Sequence, residues 1–103
     1  MNDPKPADAG TELPGKRYAA SPDVVIERLG DSMVTVQLGT DRILELNETA
    51  SRLVELLQAG NSDAEAASLL AKEYDVPLAE VAANVRLTVA QLLEEKVLEP
   101  AGS

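Results

Sequence analysis

From Val24 onward the apolar residues recur first at every second position and then, after Asn47, at every third or fourth. Val24-Val25-Ile26-Glu27-Arg28-Leu29 is short and β-branched, and Gly30-Asp31-Ser32 supplies a turn. Met33 to Leu38 alternates and predicts a second strand, with Val34, Val36 and Leu38 facing inward and Thr35 and Gln37 outward. Gly39-Thr40-Asp41 is a second tight turn. Arg42 to Leu46 is a third strand, with Leu44 and Leu46 on one face and Ile43 and Glu45 on the other. Strands this closely spaced predict an antiparallel meander.

Asn47 then changes the period. Its side-chain oxygen can accept from an otherwise unpaired first-turn amide, so it reads as a helix N-cap. Behind it Ala50, Leu53, Leu56 and Leu57 form the apolar stripe of a helix from about Glu48 to Gln58, which Gly60 ends. Ser62-Asp63-Ala64-Glu65 is a capping box that opens a second helix to about Tyr74, with Ala67, Leu70, Ala71 and Tyr74 as its buried stripe. Asp75-Val76-Pro77 breaks it, because the residue before a proline avoids the helical region. A third helix runs from about Leu78 to Glu95, with Leu78, Val81, Val85, Val89 and Leu92 in one narrow arc. Asn84, Gln91 and Glu95 lie to one side of that arc and Arg86 to the other. Val97 and Leu98 are apolar enough to return to the core as a short final strand. The fold class is therefore α+β: a three-stranded antiparallel sheet followed by three helices, winged helix-turn-helix-like.

Upstream, Pro4, Pro6, Gly10, Pro14 and Gly15 interrupt a stretch whose apolar content is mostly alanine. Residues 1–21 read as a flexible segment, 22–100 as the domain and 101–103 as a tail. With Phe and Trp absent, Leu, Val, Ile and Ala must supply the core. The absence of Cys and His removes thiol nucleophiles, disulfides, imidazole bases and the usual zinc ligands together. Ser51 and Ser62 have no histidine to activate them. Glu94, Glu95 and Glu99 lack the spacing of a calcium loop and read as solvated surface, so neither metal nor cofactor is expected. No run approaches the roughly 18 apolar residues that span a bilayer, and the N-terminus lacks the apolar core of a secretory signal. A cytoplasmic protein with no membrane partner is the expectation.

The net charge of −9 falls mostly outside the first 23 residues. So acidic a domain repels phosphate backbones, which makes nucleic acid a poor partner and a peptide of some basic character a better one.

These elements resemble the PqqD family, the recognition element of ribosomally made, modified peptides. The family pattern is a strand ending in Leu-Asn-Glu-Thr-Ala, an apolar helix ending near Gly, an acidic-capped helix closing on Glu-Tyr-Asp-Val, and a long third helix. Here it is carried by Leu46 to Ala50, Leu53 to Gly60, Ser62 to Val76, Asn84-Val85 and Leu92 to Val97. Ser21 to Val25 and the Gly30-Asp31 turn look most like the small members of lasso-peptide and radical-enzyme pathways. The resemblance implies a non-catalytic adaptor that binds the leader of a precursor peptide. It would present that precursor to a modifying enzyme, namely a radical SAM enzyme, a cyclase or a leader peptidase. The leader would add as a strand to the third strand and lie against the third helix. That places Asp41, Arg42, Ile43, Leu44 and Glu45, with Asn84, Val85, Arg86 and Thr88, at the peptide. Ile43 would line the cleft, and Arg86 would pair either with a leader carboxylate or with a surface acid such as Glu80.

The chain departs from the pattern in four places. Ile43 and Leu44 replace strand aromatics, Val54 a tryptophan, Asn84 an aspartate and Lys96 a glycine. A shallower, more aliphatic cleft is expected, and Lys96 must end its helix without glycine's ease at positive φ. Two other readings stand beside the adaptor: a winged-helix transcription regulator, which needs a basic recognition helix, and a structural subunit of an enzyme complex.

Overall fold

The computed structural model describes residues 15–101. Its elements are β1 (Tyr18–Ala20), β2 (Val24–Leu29), β3 (Ser32–Gln37), β4 (Arg42–Leu46), α1 (Glu48–Gln58), α2 (Asp63–Tyr74), α3 (Leu78–Glu94) and β5 (Leu98–Pro100). The meander and three helices are those the sequence predicts. β2, β3 and β4 form an antiparallel sheet in that order, and β1 and β5 form a separate antiparallel pair.

The helices begin and end where local chemistry directs. Asn47 Oδ1 accepts from the Ala50 amide at 2.8 Å. The Ser62 amide donates to Glu65 Oε1 at 2.8 Å, and the Glu65 amide donates to Ser62 Oγ at 3.1 Å, so both halves of the capping box are made. Each helix closes through a left-handed residue: Gly60 (φ 105°), Asp75 (φ 54°) and Lys96 (φ 64°). After α3 the Lys96 amide donates to the Leu93 carbonyl and the Val97 amide to that of Leu92, which folds buried Val97 back onto buried Leu92. Lys96 holds this conformation against its own Cβ. Lys96→Gly is therefore expected to raise stability by about 1 kcal/mol, read as a melting temperature about 5 °C higher.

One face assignment is reversed. On β3 it is Met33 and Thr35 that are buried, whereas Val34 and Val36 are half-buried on the opposite face and Leu38 lies in the following turn, 58 % exposed. Register decides this. Met33 stands opposite Leu46 and Thr35 opposite Leu44, so the strand that presents Leu44 and Leu46 to the helices turns Met33 and Thr35 inward with them. Thr35 is tolerated there because its hydroxyl donates to the Leu44 carbonyl at 3.3 Å.

The N-terminal boundary also moves. β1 pairs Tyr18 with Pro100 and Ala20 with Leu98, and Tyr18 packs on the core. The Asp63 amide donates to the Lys16 carbonyl and the Lys16 amide to Asp63 Oδ1, both at 2.8 Å, which ties this arm to the start of α2. Residues 15–21 thus belong to the folded unit, while the expected flexibility of residues 1–14 concerns residues outside those described. The core gathers α1, α2 and α3 around Leu53, Val54, Leu70, Val85 and Leu92, with Met33 and Leu46 from the sheet. No helix among the described residues is long and apolar enough to cross a membrane.

Candidate functional site

In a three-stranded sheet both outer strands keep one edge without a partner strand; here these are β2 and β4. β4 borders a cleft. Its residues Leu44 to Leu46 form one wall and α3 forms the other, over a floor that includes Ala50, Leu53 and Leu70. The cleft is open and encloses about 730 Å³. Asn47 makes this geometry by ending the edge strand and, in the same step, capping the helix that becomes the floor.

The edge itself can be assigned atom by atom. Successive residues of a strand point N–H and C=O to opposite edges. The Gln37 carbonyl accepts from Asp41, across the β3–β4 turn, and the Leu38 amide donates instead to Asp23 beside β2. The Met33 amide donates to Ser51 Oγ at 2.8 Å, and that hydroxyl donates on to the Leu46 carbonyl at 3.3 Å. Residues 33, 35 and 37 therefore face β4, and Arg42, Leu44 and Leu46 face β3 in return. What remains at the open edge is the N–H and C=O of Ile43 and Glu45.

Of the residues expected at the peptide, Leu44, Glu45, Asn84, Val85 and Thr88 line the cleft together. Asp41, Arg42, Ile43 and Arg86 do not. Asp41 sits in the turn before β4 with φ 57°. Arg42 reaches across to α3 and pairs with Glu95 at 2.6 Å, beside a 2.6 Å bond from Gln37 Nε2 to the Glu95 carbonyl. These contacts pin the end of β3 and the start of β4 to the end of α3. Ile43 projects from the opposite face of the sheet, across from Val36, and is 66 % exposed. The expectation that its side chain lines the cleft is corrected by strand alternation; only its backbone belongs to the edge. Arg86 is exposed and makes no ion pair with Glu80 or any other acid among the described residues. Val54 is fully buried, so its substitution for an aromatic bears on the core and not on the cleft.

Several cleft residues were not anticipated. Glu80 and Gln91 extend Asn84 and Thr88 into one polar stripe along α3, beside the apolar arc of Val81, Val85 and Leu92. The spacing 80, 84, 88, 91 was visible in the sequence as a second helical stripe. Tyr74, expected in the buried stripe of the second helix, is instead 39 % exposed at the cleft, and Leu78 is exposed as well. Burial, then the neighbouring Glu48 and Glu73 carboxylates, push the Tyr74 phenol above its ordinary pKa.

Behind α1 a chain of charges joins three elements. Arg28 pairs with Glu55 at 2.7 Å, and Arg52 with Glu55 and Glu73 at 2.6 Å each. Arg52 grips Glu73 through two nitrogens, which orients both groups. That hydrogen bond, reinforced by Glu55, holds the Arg52 guanidinium above its ordinary pKa. The same contacts hold Glu55 and Glu73 below theirs. Among the described residues no group of His, Cys, Asp and Glu is placed to hold a metal ion. An apolar floor, a polar stripe and an unpaired strand edge suit an extended chain.

The family model for Coenzyme PQQ synthesis protein D (PqqD) matches residues 32–98. The chain belongs to the PqqD family. Among solved structures this PqqD-family domain is similar to TbiB1 in complex with the TbiA(beta) leader peptide. The TM-score is 0.75 and the identity 26 %, over 82 % of this chain and 98 % of that one. It is likewise similar to a lasso peptide synthetase B1 complexed with the leader peptide, with TM-score 0.76 and 25 % identity over 82 % of this chain and 99 % of that one. None of the curated proteins compared matches it. The PqqD match begins at Ser32, so it takes in β3, β4, the three helices and Leu98, and thereby the whole cleft.

Proposed function

We propose that this PqqD-family domain captures the leader of a precursor peptide as an added strand on β4, holds it against α3, and presents the precursor to a modifying enzyme or leader peptidase without performing chemistry itself. The observation that carries this is the meeting of an unpaired strand edge, on β4, with an apolar cleft that the same strand walls. Main-chain bonds to Ile43 and Glu45 supply affinity that any extended segment can use. Selectivity falls to the side chains that enter between β4 and α3. Both similar solved structures are leader-peptide complexes, which supports the same reading. The regulator reading lacks a basic surface, since α2 carries Lys72 alone against Asp63, Glu65 and Glu73.

Backbone chemical-shift mapping during titration with a leader peptide tests the proposal. Binding at micromolar or tighter affinity is expected, with shifts concentrated in residues 43–46 and along 80–92. Shifts confined to β2 or to the outer face of the sheet would reject it.

A further inference from the structure

Alternation gives the three-stranded sheet two faces, and the one turned away from the helices carries two cross-strand rows that end at the open edge of β4. One row is Val25, Val36 and Ile43, and the next is Glu27, Val34 and Glu45. β4 is five residues long, so Ile43 and Glu45 are the outward side chains it offers. Exposure along the apolar row follows from lateral neighbours. Val36, flanked on both sides, is half-buried, whereas Val25 and Ile43 at the two ends are 40 % and 66 % exposed. Ile43 is the most exposed apolar side chain of this sheet, and its own amide and carbonyl lie at the open edge.

A lone exposed apolar residue is ordinary on a protein surface. An edge strand is where one is least expected, because edges are commonly guarded by charge, proline or a bulge. A strand added to β4 must also place side chains on this face. Its residue opposite Leu44 enters the cleft, and those opposite Ile43 and Glu45 emerge on the outer side. Building on the strand-addition reading above, we propose that the outer face of the sheet selects the leader as well: the leader residue opposite Ile43 is a β-branched apolar one, which carries the Val25–Val36–Ile43 row on to a fourth strand. It covers the open flank of Ile43, in the half-buried pleated setting that β-branched side chains fill best. The outward residue two positions along meets Glu45, where an apolar side chain gains little. The leader is thus read on both faces, in the cleft at alternate positions and by Ile43 at a position between them.

The test uses the full chain and capped peptides of alternating leucine and threonine, the leucines serving the apolar floor, with one central threonine replaced by valine or by alanine. The valine peptide is expected to bind about threefold to fivefold tighter than the alanine peptide. A second valine two residues further on should add less than about twofold, because it meets Glu45 or lies past the end of β4. Ile43→Thr should remove the valine peptide's advantage, and an unaltered amide spectrum of the free variant would show that the fold is retained. The chain holds two isoleucines, so methyl spectra report on the contact directly. The Ile43 methyl should show nuclear Overhauser contacts to the peptide valine, and that of Ile26, which shares the inner face with buried Thr35, should not. Peptides that shift β4 and α3 yet bind equally with valine or alanine, leaving the Ile43 methyl untouched, would overturn this inference and leave strand addition standing. A free chain that sediments as a dimer and is returned to monomer by Ile43→Thr would assign the row to a second copy and overturn the inference likewise. Peptides that bind elsewhere, or none that bind, would overturn strand addition and this inference with it.

Discussion

Ile43→Pro is expected to weaken leader binding by about tenfold to a hundredfold, while Ile43→Ala weakens it by no more than about fivefold. The contrast follows from where the two halves of this residue point. The side chain lies on the outer face of the sheet beside Val36, away from the cleft, so truncating it removes only a cross-strand contact on that outer face, worth about 0.2–1 kcal/mol. The backbone amide faces the open edge, where proline would delete a ladder donor and set its ring against the incoming chain. The β3–β4 ladder survives, because its donors on β4 are Arg42, Leu44 and Leu46. Leu44→Pro supplies the opposite control and should disrupt the fold itself. Isothermal titration with a leader, alongside circular dichroism of each variant, separates these outcomes. Equal losses for Ile43→Ala and Ile43→Pro would show that the side chain does the binding.

Ser51→Ala is expected to destabilise the domain by about 2 kcal/mol, lowering the melting temperature by about 10 °C. Ser51 is 1 % exposed, and its hydroxyl stands between the Met33 amide and the Leu46 carbonyl. Alanine would leave that amide buried and unpaired, a larger penalty than the loss of one hydrogen bond between exposed groups. The site matters beyond stability, since this hydroxyl fastens the end of β4 to β3 at the point where the chain enters α1. A thermal melt decides the matter. An unchanged melting temperature would mean that water or a local shift satisfies Met33 without the serine.

Much of this architecture was legible because its signals are local. The Asn47 cap, the Ser62–Glu65 capping box, the glycine after α1 and the break before Pro77 each act within a few residues, and the structure makes all of them. The facing of β3 was not legible in the same way. Val34 and Val36 are more apolar than Thr35, but burial followed the partner strand, where Leu44 and Leu46 had already claimed the inner face. β1 escaped for a related reason: Tyr18-Ala19-Ala20 has no alternation, and only its pairing with β5 makes it a strand. At the cleft, β4 and the middle of α3 could be named from the family resemblance, while Glu80, Gln91 and Tyr74 come from two helices whose mutual placement no local pattern encodes. Ile43 was misplaced because strand alternation sends its side chain and its neighbours' to opposite faces, although its amide stays at the edge.

Residue-resolved amide hydrogen exchange, with and without saturating leader peptide, tests strand addition most directly. In the free protein the Ile43 and Glu45 amides should exchange fast and the Leu44 and Leu46 amides slowly. On binding, the first two should become protected and the second two remain so. Persistently fast exchange at Ile43 and Glu45 in the saturated complex, or new protection along the open edge of β2 instead, would contradict the account.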